Sequence, residues 1–262
     1  MEKKYFKIAT WNVNSLRVRL PQVLDWLQQH KPDVLVLQET KVPDEKFPTE
    51  TIKAAKYHVV YAGQPTYNGV AILSRSLAQD VVTDLPGFVD SARRILAATI
   101  DDYRIINLYV PNGSAVGSDK FRYKLQWLAR LQSFLKQQLK KYKKVIVLGD
   151  FNVAPQDRDV YDPRAWEGQV LVSEPERLAL RGLLDLGLTD AFRIFQQDSG
   201  HYSWWDYRMQ AFRRNHGLRL DLILLSAELV PLCHRCIIDK NPRSLPRPSD
   251  HTPVWAEFRC KS

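Results

Sequence analysis

Short runs of aliphatic side chains that stop abruptly at polar residues set the rhythm of this chain. Val145-Ile146-Val147-Leu148 is followed by Gly149 and then by Asp150 and Asn152 on either side of Phe151. Such a run suits a strand covered on both faces, and strands of that kind present ligand-binding groups at their carboxyl ends. Two residues apart on extended backbone, Asp150 and Asn152 face the same way. Asp and Asn are also ordinary turn residues, and recurrence of the pattern separates the two readings. Residues 6–11 form a strand pattern that ends in Asn12 and Asn14, and Val34-Leu35-Val36-Leu37 ends in Gln38-Glu39-Thr40. Residues 104–110 run into Tyr109-Val110-Pro111-Asn112, residues 218–225 carry Asp221, and Asp250-His251 introduce a closing strand over 254–258.

Helical spacing lies between these strands. Leu16, Leu20, Val23, Leu24 and Leu27 predict a helix in which Pro21 is admissible only in the first turn, and His30-Lys31-Pro32-Asp33 ends it. Phe121, Leu125, Leu128, Leu131, Leu135 and Leu139 predict a long amphipathic helix. The lysines from 140 to 144 suit its C-terminus through the helix dipole and need no ligand to explain them. Residues 154–172 read as a long loop, and Ser173-Glu174-Pro175-Glu176 as a capping box opening a helix that Gly187 closes. Weaker strand patterns fall at 57–61, 69–73 and 95–100, and residues 201–207 read as an aromatic strand with Trp204 and Trp205 on opposite faces. Strands alternating with helices and then predominating predict a layered α/β fold with mixed sheets, the polar strand ends gathered along one edge of a sheet.

Composition narrows the class of partner. The chain has 38 Lys+Arg against 29 Asp+Glu, a formal charge of +9 and a pI near 9.4, which favours a polyanion. No linker, low-complexity tract or repeat divides the 262 residues, so a single domain over 1–262 is expected. No apolar run approaches the roughly 20 residues of a membrane span, and the N-terminal MEKKYFKIATWNVN has no signal-peptide pattern, so a cytoplasmic protein without a membrane partner is expected. Cys233 and Cys236 form one CxxC with no second pair at zinc spacing, and read as unremarkable thiols.

Carboxylates and amides without thiolates are hard oxygen ligands, suited to Mg2+ with Mn2+ as substitute. Glu39 is the expected principal ligand, with Asn12 and Asp250 near it. The adjacent Asp250-His251 pair reads as a carboxylate orienting a protonated imidazole toward a phosphoryl oxygen.

Seven segments in order, WNVNSLR, LQETK, YVPNG, GDFNVAP, WWDYR, GLRLDLIL and PSDHTPVWAEF, closely resemble the exonuclease III family of DNA-repair nucleases, over nearly the whole chain. The resemblance implies a deoxyribonuclease I-like, four-layered α/β sandwich of two mixed β-sheets flanked by helices. It implies a Mg2+-dependent phosphodiesterase that trims 3′ ends and cuts 5′ to abasic sites, acting as a monomer on double-stranded DNA. By position, it makes Glu39 the main metal ligand and Asn12 a support for metal and phosphate. Asn14 stands where some relatives carry aspartate. Tyr109 would contact phosphate or relay a proton, Asp150 align or deprotonate the attacking water, and Asn152, with Asn112, contact the phosphate. Asp221 would support the histidine or help neutralise the leaving group, and His251, oriented by Asp250, would stabilise the phosphorane. One shifting ion or two ions, held by Asp150/Asn152 and Glu39/Asp250 with His251 beside them, both fit this set. Trp204, Leu218 and Leu220 would line a pocket for a base-free sugar, and Arg93, Arg94, Lys120 and Arg122 would meet the DNA backbone without reading its sequence. A superfamily cousin acting on a small phosphoester such as an inositol phosphate is the rival enzyme, and a catalytically silent DNA-binding module the rival of another class. The basic charge and the WWDYR and GLRLD segments weigh against the first, and the filled chemical positions against the second, which would share the charge.

Overall fold

The computed structural model describes residues 5–88 and 90–260. The chain opens with β1 (Tyr5–Asn12), α1 (Leu16–His30) and β2 (Val34–Gln38), then adds α2 (Thr49–Ala54), β3 (His58–Ala62) and β4 (Val70–Ser74). It crosses to a second sheet through β5 (Gln79–Val82), β6 (Ile95–Ile100), β7 (Tyr103–Tyr109), α3 (Asp119–Lys141) and β8 (Val145–Asp150). After α4 (Pro163–Trp166) and α5 (Glu174–Leu184) come β9 (Thr189–Asp190), α6 (Ala191–Phe195), α7 (Ala211–Arg214) and β10 (Asp221–Leu225), and β11 (Cys233–Ile238) and β12 (Val254–Arg259) return to the first sheet.

The strand orders are β11-β12-β1-β2-β4-β3 and β5-β6-β7-β8-β10-β9. Each sheet holds one parallel pair, β1 with β2 and β7 with β8, each joined through a long helix, and its other pairings are antiparallel. The two crossover units place their carboxyl ends where the sheets meet. Alternate residues explain the layering. Ile8, Val36, Ile72, Ile105, Ile146, Leu148 and Ile223 pack between the sheets. Ala9, Leu35, Leu37 and Leu73 face α1 through Val23, Trp26 and Leu27, while Ile106, Val145 and Val147 face α3 and α5 through Trp127, Leu131, Leu135, Leu180 and Leu183. Helix, sheet, sheet and helix make the four-layered α/β sandwich.

Midway along β7 a buried polar group crosses between the sheets. Asn107 of β7 donates to the carbonyls of Leu37 and Ala71, each at 2.9 Å, and accepts from Gln38 Nε2 at 2.7 Å. Buried amides are tolerated only when satisfied, so these bonds fix one sheet's position over the other.

Several expectations are corrected. Pro21 lies in the second turn of α1, where it removes an amide from the helix; Pro21 and Arg17, whose carbonyl loses that partner, are both exposed, so water can take its place. Residues 201–207 form no regular strand, only isolated bridges from Trp204 to Leu218 and His251, and β10 begins at Asp221 rather than Leu218. The long loop contains α4, and β5 and β9 are too short and polar to have shown a period. Most important, the polar strand ends come from two sheets, not from one edge of a single sheet. Among the described residues no helix is long and apolar enough to cross a membrane.

Candidate active site

Asn12 ends β1, Glu39 follows β2, Tyr109 ends β7 and Asp150 ends β8, so both parallel pairs deliver their last residues to one cleft. β8 approaches β7 closely because residue 149 is glycine: its φ is +144°, and a Cβ there would lie 2.0 Å from the Leu108 carbonyl oxygen. Asn14, Glu39 and Asn152 adopt left-handed backbone, with φ of 43°, 50° and 48°, which turns the chain sharply at each strand end.

The side-chain amide of Asn12 joins the two sheets' carboxylates, its Nδ2 lying 2.9 Å from both Glu39 Oε1 and Asp150 Oδ2. Asp150 also accepts the Asn152 backbone amide at 2.9 Å and its Nδ2 at 3.2 Å, and Asn112 Nδ2 reaches Asn152 Oδ1 at 3.3 Å. Burial pushes the Asp150 carboxyl up to about 7, against the pull of His251 and these donors. Burial, with the charges of Glu39 and Asp150, also drives the Tyr109 phenol well above its ordinary value, so it stays protonated.

His251 is held by Asp221, not by its neighbour Asp250. Nδ1 lies 2.8 Å from Asp221 Oδ2, and Nε2 lies 3.7 Å from Asp150 Oδ2. Burial favours the neutral ring, but Asp221 and Asp150 outweigh it and raise His251 to about 10. Successive residues on extended chain point apart, so Asp250 turns instead to Trp204 Nε1 at 3.0 Å and Asn14 Nδ2 at 2.9 Å. The expectation that Asp250 orients His251 is thus corrected.

Asp150, Asp221 and His251 are the three acidic or histidine groups among the described residues whose ligand atoms converge within 4.8 Å. Asp221 Oδ1 is buried with no hydrogen-bond partner, and Asp150 is a carboxylate whose charge burial opposes. A cation beside Asp150 answers that buried charge, His251 being charged at neutral pH and so no ligand, and the carboxylate and amide oxygens fit a hard divalent ion. Glu39 and Asp250 stand outside that trio, Glu39 linked to it through Asn12 and paired with Lys41 at 2.9 Å. The sequence pattern gave Lys41 no role, yet its Nζ also lies 2.5 Å from Asn14 Oδ1. The Asn14 amide therefore bridges an ammonium and a carboxylate, each end suited to its partner. Asn14→Asp loses the bond to Asp250 and sets two carboxylates face to face while keeping Lys41 as partner, and is expected to cost about 1 kcal/mol, measured by thermal melts at neutral pH.

The other expected residues divide. Arg94 stacks over Tyr109 at 4.8 Å, while Arg93 pairs with Asp84 at 3.2 Å. Arg122 is engaged by Asp119 and the Gly117 carbonyl, and Lys120 is exposed at the start of α3. Leu218 and Leu220 are wholly buried beneath Trp204 and line no open surface. The recess at Trp204, about 550 Å³, is instead walled by Tyr161, Trp166, Met209 and His216. Trp166, from α4, stands edge-on to Trp204 with centroids 6.5 Å apart. It lay in a stretch without periodicity, and only its aromatic type could have marked it.

Residues 9–251 match the model of the endonuclease/exonuclease/phosphatase family. The chain is 35% identical to exodeoxyribonuclease III of Haemophilus influenzae, over 97% of this chain and 100% of that protein. The solved 3′-5′ exonuclease NExo of Neisseria meningitidis superposes with a TM-score of 0.96 at 48% identity, over 97% of this chain and 100% of that one. An AP endonuclease from Archaeoglobus fulgidus gives 0.93 at 39% identity, over 97% and 99%. Fold, strand-end residues and full-length similarity agree: the chain belongs to the endonuclease/exonuclease/phosphatase family, in its exonuclease III branch.

Proposed function

We propose that this protein is a Mg2+-dependent DNA phosphodiesterase, monomeric and cytoplasmic, which trims 3′ ends in the 3′-to-5′ direction and cuts 5′ to abasic sites. The observation that carries this reading is the Asn12 amide joining Glu39 to Asp150 beside the His251–Asp221 pair. A phosphodiester is shielded by its charge, so its hydrolysis needs the non-bridging oxygens neutralised, a water aimed in line and the departing 3′ oxygen stabilised. Glu39 and Asp150 would hold the cation, with Asn12 in support, and the cation supplies charge neutralisation at the phosphate and the leaving oxygen. Asp150 aligns the attacking water or takes its proton. His251, its Nδ1 committed to Asp221, offers Nε2–H to a non-bridging oxygen. Asn112 turns its remaining amide proton to the phosphate, Asn152, whose amide donates to the Val110 carbonyl and to Asp150, holds that carboxylate in place, and the protonated Tyr109 donates from the side that Arg94 flanks.

The charge of +9 supports a nucleic-acid substrate over a small phosphoester. A relative at 47% identity is described as a 3′ phosphatase bound to product DNA hairpin. The burial of Leu218 and Leu220 leaves the recess walled by Trp204 and Trp166 to receive a base-free sugar. Two labelled duplexes test the reading, one with an internal abasic analogue and one with a recessed 3′ end, each with Mg2+ or EDTA at moderate salt. Metal-dependent cutting of both is expected. Cutting of neither rejects the nuclease reading.

A further inference from the structure

Lys124 of α3 is wholly buried, and all three protons of its ammonium are used. Nζ donates to the Asn112 carbonyl at 3.1 Å, to the Asn152 carbonyl at 2.6 Å and to Glu176 Oε1. A buried ion pair is seldom better for stability than apolar side chains of the same volume, so its value lies in what it holds. The two carbonyls belong to the residues whose amides meet beside Asp150. Glu176, the capping residue of α5, also accepts the backbone amides of Leu171 and Ser173 at 3.0 and 3.2 Å. Leu171 and Val172, which end the long loop, pack in one cluster with Trp166 and Trp204. Gly113, at φ +96°, rests on the lysine stem; a Cβ there would meet Lys124 Cδ at 3.1 Å and Val170 Cγ2 at 3.2 Å.

We propose that Lys124 is a positioning residue: its ammonium clamps the backbone of Asn112 and Asn152 so that the Asn112 amide faces the phosphate and Asn152 holds Asp150, and through Glu176 it ties that floor to the wall of the Trp204 recess. The inference rests on the phosphodiesterase reading above. Lys124 acts through the two asparagines rather than on substrate.

Lys124→Met alone strands the Glu176 carboxylate, so the deciding variant is K124M/E176Q. Its glutamine oxygen keeps the Ser173 amide, gives up the Leu171 amide, and leaves no charge unpaired. Assayed with Mg2+ on the recessed duplex, the double variant is expected to lose about 10- to 100-fold in kcat, as displacements of about 1 Å do, with KM within about threefold of the parent. Gly113→Ala, which presses a methyl group onto the lysine stem, is expected to lower kcat by at least about threefold and serves if the double variant does not fold. A parent that cuts the duplex while the folded variants match its kcat overturns the clamp alone. A parent that does not cut overturns the nuclease reading and the clamp with it.

Discussion

Asp150→Asn is expected to lower kcat for duplex cleavage by about 1,000-fold while the protein stays folded and no less stable at pH 8. Asp150 is 1% exposed, and burial raises its carboxyl from 3.8 to about 7. A carboxyl raised on folding contributes stability that is full below about pH 4 and is lost as pH rises through about 7. At pH 8, without metal, the parent therefore carries the cost of a buried charge that asparagine lacks. The variant's relative stability should grow between pH 5 and pH 8, and Mg2+ should narrow the gap by favouring the ionised parent. Single-turnover kinetics and denaturant melts at the two pH values check both parts. Retention of more than a tenth of parental kcat would remove Asp150 from the chemistry.

His251→Asn is the second large effect, about 100- to 1,000-fold in kcat. Asp221→Asn should approach it, because the Asp221 carboxylate holds the ring by Nδ1 and sustains its charge. Groups that act as a unit are not additive, so the double variant is expected to be little worse than the worse single one. The parent imidazole, held near 10, stays charged across neutral pH. With Asp221 neutral the imidazolium loses its main support, and the alkaline fall in kcat should move down toward neutrality. The sign for stability follows the same rule: the raised histidine contributes fully below pH 6.5 and its contribution disappears as pH rises through about 10. An unchanged alkaline limb in Asp221→Asn would show that the pairing has no bearing on turnover.

Sequence reasoning reached the parts of this site that local pattern controls. The apolar runs ending at Asn12, Glu39, Tyr109 and Asp150 were legible because a doubly covered strand leaves an unbroken aliphatic signature with its polar residues at the end. Assignment of strands to sheets was not, since both sheets present the same apolar face to the shared core. Nor was the partner of His251, because adjacency along an extended chain separates side chains while a distant strand can approach. Lys124 was hidden for a different reason. The helix stripe read from its leucines included Leu125, yet the fold buries Phe121, Lys124, Trp127 and Leu128 and leaves Leu125 partly exposed. A lysine reads as solvent-facing unless its three acceptors are known, and those arrive from two loops and another helix.

The left-handed backbone at Asn14, Glu39 and Asn152 bears on how this chain can be altered. At Glu39 a side chain held there costs about 1–2 kcal/mol that glycine avoids, and less at the two asparagines, which tolerate this backbone. Substitutions that relax these turns are thus among the easiest gains in thermal tolerance, and each deletes a group from the cleft. A library ranked by heat resistance alone would be enriched in inert proteins, and selection for durability has to be coupled to turnover from the first round.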